Sequence, residues 1–164
     1  MNPNERNEMI EEYGRGFDIL TAALAEIPRE AWQFKPAPHE WSIHELIVHM
    51  GDSEILGAMR LRKIIAEPGS NVTGYEEAVW AEALDYQSQD VDDALLIFKL
   101  ARQTSYRLLK TLTDQIYTHS VVNPEYGVTV TLEDWLRSYT DHVPEHLRQL
   151  METHQAWKHR PANA

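Results

Sequence analysis

Residues 131–151 read TLEDWLRSYTDHVPEHLRQLM and carry the clearest structural signal in the chain. Their apolar side chains recur every three or four positions, which is the period of one face of an α-helix. These side chains are Leu132, Leu136, Tyr139, Val143, Leu147 and Leu150. Thr131 stands in front of this stripe with Glu133 and Asp134 behind it, a pattern typical of a helix N-terminus. The stretch therefore predicts a long amphipathic helix that buries one face.

Three other segments have the same helical period. Residues 10–27 form an apolar stripe that ends at a proline. Ser42 and Glu45 match a capping box and open a second helix, which runs to the Pro-Gly pair at 68–69. A third helix begins near Asp90. Four long helices and almost no strand predict an all-α fold, a four-helix bundle.

The links between the predicted helices differ in length. Residues 67–89 form a long link between the second and third helices, and a small extra helix is predicted within residues 75–84. Residues 114–130 place an Asn-Pro-Glu-Tyr-Gly turn between two β-favouring runs, 120–122 and 128–130. This pattern predicts a short hairpin before the fourth helix.

Composition excludes several classes of protein. The chain has 164 residues, 15 of them basic and 26 acidic, which gives a formal net charge of −11. Nucleic-acid binding and anionic-membrane binding both need a basic surface, so we expect neither partner. No cysteine is present, so any metal must be held by His, Asp or Glu. The polar first residues and the lack of a long apolar run predict a cytoplasmic protein. The length predicts a single domain over residues 1–160, with a tail at 161–164.

Histidine is the unusual chemical resource of this sequence, with eight copies. His142 and His146 are four residues apart, so both imidazoles lie on one helix face beside the apolar stripe. Buried imidazoles are costly unless they are neutral and partnered, and a metal ion is a suitable partner. His49 borders the apolar stripe of the second helix and is the candidate third ligand. Pro144 lies between the other two ligands and predicts a kink in the fourth helix.

The remaining histidines are expected in other environments. Three are expected in solvent: His39, His44 and His159. His154 lies eight residues after His146, and the helical rotation carries it away from that face. His119 is the competing candidate, because it lies where the third helix gives way to the hairpin and could close over a site.

Two short motifs resemble the signatures of a known family. Residues 41–50 read WSIHELIVHM, similar to W-S-x-x-E-x-x-x-H-h, where h is apolar. Residues 141–150 read DHVPEHLRQL, similar to H-x-x-x-H-L-x-Q-h. Both signatures are those of the DinB/YfiT-like superfamily, mainly bacterial four-helix bundles that bind a divalent metal through three histidines. The resemblance implies metal ligation by His49, His142 and His146, an up-down-down-up bundle, a small-molecule substrate and a homodimer.

Three neutral imidazoles leave a divalent ion with an open coordination position, the pattern of catalytic zinc. Zinc or nickel is the expected ion, although iron and manganese also accept imidazole. Tyr139, Glu45 and His119 are candidates to assist catalysis, while core packing or solvation is the ordinary role of such residues. Trp41 is expected to act as a hydrophobic staple rather than to touch substrate. The resemblance points to hydrolysis or to transfer of a low-molecular-weight thiol, and the alternative is a non-catalytic metal- or small-molecule-binding bundle.

Overall fold

Five α-helices and a two-stranded hairpin make up residues 1–161, the part of the chain that this computed structural model describes. The long helices are α1 (Pro3–Ala25), α2 (Ile43–Ala66), α4 (Val91–Leu109) and α5 (Leu132–Lys158). The short helix α3 (Glu77–Ala83) lies between α2 and α4, and the strands β1 (Ser120–Asn123) and β2 (Val128–Thr131) precede α5. Short 3₁₀ turns cover Arg29–Ala31, Tyr86–Ser88 and Asp114–Thr118. The predicted bundle, small extra helix and hairpin are confirmed.

Polar side chains determine where the long helices begin. Ser42 Oγ accepts the backbone N–H of Glu45, and the Glu45 carboxylate accepts the N–H of Ser42, which completes the predicted capping box of α2. Asp90 accepts two N–H groups in the first turn of α4. Thr131 and Asp134 form the same reciprocal pair at the start of α5. These starts agree with the sequence because a short polar side chain satisfies the free N–H groups of a first turn.

Contacts between the long helices establish their directions. Helices α1 and α4 are antiparallel, as are α2 and α5, whereas α2 and α4 are parallel. The residue pairs that give these directions are Glu11–Lys110 and Phe17–Phe98 for α1 and α4, Gly57–Trp135 and His49–His146 for α2 and α5, and Gly51–Ala94 and Arg62–Thr104 for α2 and α4. The order is therefore up-down-down-up. Two consecutive parallel helices need a connection that returns along the bundle, and the long link that contains α3 supplies it.

Two buried apolar clusters fill the interior of the bundle. The first includes Leu20, Leu46, Met50, Phe98, Val143 and Leu150. The second includes Tyr13, Leu61, Leu109, Trp135, Leu136 and Tyr139. The guanidinium of Arg102 lies between the clusters, 4.3 Å from the ring of Tyr13 and 4.7 Å from the ring of Phe98. A buried charged residue thus connects the two apolar layers.

The hairpin lies alongside the first residues of the link that follows α2. Its strands pair antiparallel, from Ser120 opposite Thr131 to Asn123 opposite Val128. The backbone N–H of Val72 donates to the carbonyl of Val122 at 2.9 Å, so this part of the link runs alongside β1. The hairpin therefore holds the chain that leads into α3.

The described residues end at Pro161, so the predicted tail falls almost wholly outside them and its boundary stays a prediction. Across residues 1–161, no helix combines the length and the hydrophobicity that a membrane span requires.

Candidate metal centre

Three histidines from two helices converge inside the bundle. His49 comes from the first half of α2, and His142 and His146 come from successive turns of the antiparallel helix α5. One ring nitrogen of each lies within 4.8 Å of the other two. Among residues 1–161, no other group of three His, Asp or Glu side chains meets in this way. The structure thus brings together the three histidines that the sequence selects.

Hydrogen bonding orients the two rings of α5. Nε2 of His146 lies 2.9 Å from Nε2 of His142, and Nδ1 of His146 lies 2.9 Å from the side-chain oxygen of Gln149. When Nδ1–H donates to Gln149, Nε2 of His146 keeps its lone pair and faces His142. Ser53 Oγ lies 3.5 Å from the same Nε2 of His142. The two Nε2 atoms therefore face a common point, as ligands of one ion would.

His49 is fully buried, and neither of its ring nitrogens has a hydrogen-bond partner. A buried polar group without a partner is unfavourable, and an ion between the three rings would give His49 the partner that it lacks. Zinc–nitrogen bonds of about 2.0–2.1 Å in a tetrahedral site would hold the nitrogens roughly 3.3 Å apart. The Nε2 atoms of His142 and His146 lie 2.9 Å apart, and one nitrogen of each of the three rings lies within 4.8 Å of the others, which is compatible with this spacing. The donor set therefore fits a divalent ion.

Burial keeps these imidazoles neutral. Desolvation, together with repulsion from His146, lowers the pKa of His49 to about 3. Desolvation and repulsion from the neighbouring histidines lower the pKa of His142 to about 2. Burial also lowers the pKa of His146, although its contact with Gln149 opposes this shift. Because a metal binds the neutral imidazole, all three rings are in the ligand form at neutral pH.

Helix α5 runs through Pro144 and continues to Lys158. Pro144 has no N–H to offer the carbonyl of Thr140, which is the expected disturbance. The rings on either side of it, His142 and His146, still lie 4.3 Å apart at an interplanar angle of 87°. The proline therefore does not separate the two candidate ligands.

A cavity of about 530 Å³ reaches the cluster at His146. Its walls come from the loop before α2, from α3 and from the second half of α5, and they include Trp41, Glu77 and Gln149. The Trp41 ring lies 4.9 Å from the His49 ring. Trp41 is thus part of the cavity wall, and the expectation that it does not meet a substrate stays a prediction. The loop before α2 folds back over the helix and carries Trp41 to this position.

Tyr139 lies beside the cluster but is packed in the core. Its ring is 6.1 Å from the ring of His142 and stacks on Trp135 at 4.8 Å. The Arg60 guanidinium donates to its hydroxyl at 3.4 Å, and burial is the main cause that raises the pKa of this hydroxyl. Tyr139 therefore supports the wall of the cluster at His142.

Glu45 and His119 lie outside the cluster. The Glu45 carboxylate caps α2 and accepts a hydrogen bond from Lys35 Nζ at 2.8 Å, so its oxygens are already committed. His119 is half-buried at the start of the hairpin, where its backbone carbonyl accepts from Leu132 at 3.0 Å. Neither side chain belongs to the group of three histidines, and a catalytic role for either stays a prediction.

His44 is buried, so the expectation that it lies in solvent is wrong. Its Nδ1 lies 3.0 Å from Nε2 of Gln33, and its Nε2 lies 2.9 Å from the carbonyl of Gln89. The loop before α2 and the turn before α4 fold over the start of α2 and cover this ring. Two histidines are exposed as expected: His39 and His159. His154 is buried beside Trp157, away from the cluster.

Three polar side chains near the cluster are not among the predicted metal ligands. Glu77 of α3 places Oε1 at 4.0 Å from Nε2 of His49. The Tyr75 ring lies 6.4 Å from the His49 ring, and burial raises the pKa of Tyr75 to about 12. Ser53 follows His49 by four residues, a spacing that could have identified it. Glu77 and Tyr75 belong to the long link, where no periodic pattern marks them.

Sequence relatives of the chain share one description. YfiT of Bacillus subtilis (strain 168) is 26% identical over 112 residues, which are 68% of this chain and 63% of that protein. A relative from Halalkalibacterium halodurans is 29% identical over 114 residues, which are 70% of this chain and 66% of that protein. Both carry the name "putative metal-dependent hydrolase". The matched regions span just under two thirds of the length of these relatives.

Solved structures and a family match agree with this comparison. The structure of YfiT from Bacillus subtilis, described as "a probable metal-dependent hydrolase with an unusual four-helix bundle topology", superposes with a TM-score of 0.88 at 20% identity, over 96% of this chain and 90% of that one. A DinB-like protein from Bacillus subtilis superposes with a TM-score of 0.61 at 16% identity, over 94% of each chain. The sequence model of the DinB superfamily matches residues 12–150. Because that match covers most of this chain, the chain belongs to the DinB superfamily.

Proposed function

We propose that this protein is a metal-dependent enzyme that acts on a small molecule, either as a hydrolase or as a transferase of a low-molecular-weight thiol. In this proposal His49, His142 and His146 hold one divalent ion. The observation that carries it is the convergence of three neutral imidazoles at the end of a cavity, with no fourth His, Asp or Glu of the described chain joining them. A structural site would be closed by a fourth protein ligand.

The donor set favours zinc or nickel, and iron and manganese are also compatible with imidazole. His49, His142 and His146 would hold such an ion through three neutral nitrogens, and the ion would supply a Lewis acid that makes a water or a thiol easier to deprotonate. Gln149 holds His146 in the tautomer that directs Nε2 to the site. Trp41 and Tyr75 cover His49 and keep bulk water from it. The names of the sequence relatives support metal dependence and hydrolysis.

The second candidate is a bundle in which the ion only braces the fold. It is supported by the position of the histidines, because an ion shared by His49 and His146 would tie α2 to α5. The two candidates differ in what removal of the ion does. A bracing ion contributes directly to folding stability, so chelation should lower Tm strongly. A catalytic ion should be needed for turnover while chelation leaves most of the stability.

The first test is metal content. We expect the untagged protein to hold about one divalent ion per chain, as measured by elemental analysis. His49→Ala should lose the ion while circular dichroism shows nearly unchanged helix content. The matched control is His159→Ala, since His159 is exposed and outside the cluster. Full metal content in His49→Ala would remove His49 from the site and contradict the proposal.

The second test is turnover. Activated esters test hydrolysis, and glutathione or cysteine with an electrophilic acceptor tests thiol transfer. Activity should follow metal content across the wild type, His49→Ala and His159→Ala. Loss of the ion without any change in turnover would exclude metal-dependent catalysis.

A homodimer stays a prediction. Helices α2 and α4 pack side by side and expose apolar side chains that a second copy could cover, namely Ile55, Met59, Ile97 and Leu100. Light scattering after size-exclusion chromatography measures the mass directly, and a mass near 19.0 kDa would contradict the dimer.

A further inference from the structure

The charged side chains that line the cavity at His146 are acidic, apart from the histidines. Three carboxylates line it, from Glu40, Glu77 and Glu152. No Lys or Arg is among the lining residues of the described chain. An anionic substrate would find no guanidinium or ammonium group there to receive it.

Cations next to this lining are already paired. Lys35 bonds the capping carboxylate of Glu45 at 2.8 Å, and Arg148 bonds Glu152 at 2.9 Å. Glu40 and Glu77, in contrast, have no Lys or Arg within 4.0 Å in the part of the chain that the structure describes. Glu40 and Glu77 therefore carry charges on the cavity wall that no Lys or Arg of the described chain neutralises.

A second observation places these carboxylates at the candidate site rather than on an unrelated surface. His49 is fully buried without a hydrogen-bond partner, and its Nε2 lies 4.0 Å from Oε1 of Glu77. His146, which is 6% exposed, lines the same cavity. A molecule that meets Glu77 is therefore next to the histidine cluster.

Another part of the lining is apolar and aromatic. Trp41 and Leu46 line the cavity, with the Trp41 ring against His49. The face of an indole ring attracts a cation, and both side chains offer apolar surface. The volume of about 530 Å³ is in the usual range for a small-molecule site.

We propose that the substrate of this site is a small molecule with a cationic nitrogen group next to an apolar or aromatic part. Glu40 and Glu77 receive the positive group, and Trp41 packs against the apolar part. The reacting bond then lies towards His146. This inference rests on the proposed function, because it names the substrate class of the same site.

Calorimetric titration of the zinc-loaded protein tests the substrate class without turnover. The probes are benzyltrimethylammonium, 2-phenylethanol and phenylmethanesulfonate, which are similar in size and differ in charge. The quaternary ammonium has no lone pair for the metal, so its affinity reports the cavity wall. We expect it to bind about tenfold more tightly than the sulfonate.

Matched variants locate the effect. Glu40→Gln combined with Glu77→Gln should abolish the preference for the cation, because the shape is kept and both charges are lost. Glu26→Gln combined with Glu30→Gln removes the same charge from exposed positions outside the cavity and should keep the preference. Equal affinities for cation and sulfonate, or a preference that persists in the Glu40/Glu77 variant, would overturn the inference.

Metal content of the same samples separates the two proposals. One zinc per chain without charge preference would overturn the substrate class and leave the metal-dependent function standing. A cation preference that depends on Glu40 and Glu77, in a protein that retains no metal, would support the cavity's selectivity and overturn the metal-dependent function.

Discussion

His49 is buried and its ring nitrogens have no hydrogen-bond partner. His44, on the same helix, is also buried, but its ring nitrogens have partners. Both ring nitrogens of His44 have partners, Gln33 and the carbonyl of Gln89, so this ring is satisfied without an ion. His49 has no such partner and lies against two other imidazoles. Desolvation acts unopposed on a group without partners, so its neutral form is strongly favoured. His154 is also buried without hydrogen-bond partners, but only His49 lies against two other imidazoles, and this combination indicates a ligand.

The low pKa values of His49 and His142 predict how the stability of the metal-free protein depends on pH. In the unfolded chain both histidines titrate near 6.5, whereas in the fold their pKa values are about 3 and about 2. Below pH 6.5 these histidines bind protons in the unfolded state but not in the folded state, so the free energy of unfolding falls as pH falls. Their contribution to stability is fully present above about pH 7.5. At pH 5.5 we expect a loss of about 1.4 kcal/mol for each of the two histidines. Urea denaturation of chelator-treated protein at pH 7.5, 6.5 and 5.5 measures this loss.

A double variant controls for other groups that titrate in this range. His49→Gln with His142→Gln should have a much flatter pH profile than the wild type, because neither glutamine titrates. Parallel profiles would mean that these two histidines are not the source of the pH dependence.

The residues of the candidate site differ in how far the sequence predicts them. His142 and His146 can be predicted because their four-residue spacing is local to one helix. His49 can be selected from its position beside an apolar stripe and from the resemblance. Trp41 and Glu77 reach the cluster only when the loop before α2 and helix α3 fold over the bundle, and no local pattern encodes that approach.

Helix starts are the most predictable elements of this fold. Ser42 and Thr131 cap α2 and α5 through bonds to residues only three positions away, so the cap is visible in a short stretch. The course of α5 beyond its first turns is less predictable. Pro144 predicts a disturbed helix, yet packing of its apolar face keeps α5 helical to Lys158.

Replacement of Pro144 should therefore change the stability of α5. Pro144→Ala supplies an N–H for the carbonyl of Thr140 and removes the steric conflict of the ring. Part of the gain is offset, because the proline also restricts the unfolded chain. We expect an increase of about 1–2 kcal/mol in the free energy of unfolding, measured in urea, with metal content unchanged. Pro38→Ala, in the exposed loop before α2, is the control and should have a smaller effect. Lower stability of Pro144→Ala would show that the proline itself is needed for the packing of α5.

Across the whole molecule, one buried ion pair joins all four long helices. Arg102 of α4 donates to the Glu54 carboxylate of α2 at 2.8 Å, to the carbonyl of Tyr13 in α1 at 3.1 Å and to the carbonyl of Tyr139 in α5 at 2.9 Å. The Tyr13 hydroxyl also donates to Glu54. Glu54 and Arg102 are 48 residues apart, and each resembles a surface charge in its own helix. Only the parallel placement of α2 and α4 brings them together, so the sequence alone does not predict the pair.

Removal of one charge of this pair should be far more destabilising than removal of both charges. Arg102→Met leaves the Glu54 carboxylate buried without its counter-charge, so we expect a loss of about 3–5 kcal/mol in the free energy of unfolding. The double variant Glu54→Leu with Arg102→Met removes both charges, and an apolar pair of similar volume is often nearly neutral. It should therefore recover at least half of that loss in urea denaturation at pH 7.5. If the double variant loses as much as the single variants Glu54→Leu and Arg102→Met together, the two charges act independently, and the buried pair does not hold the four helices together.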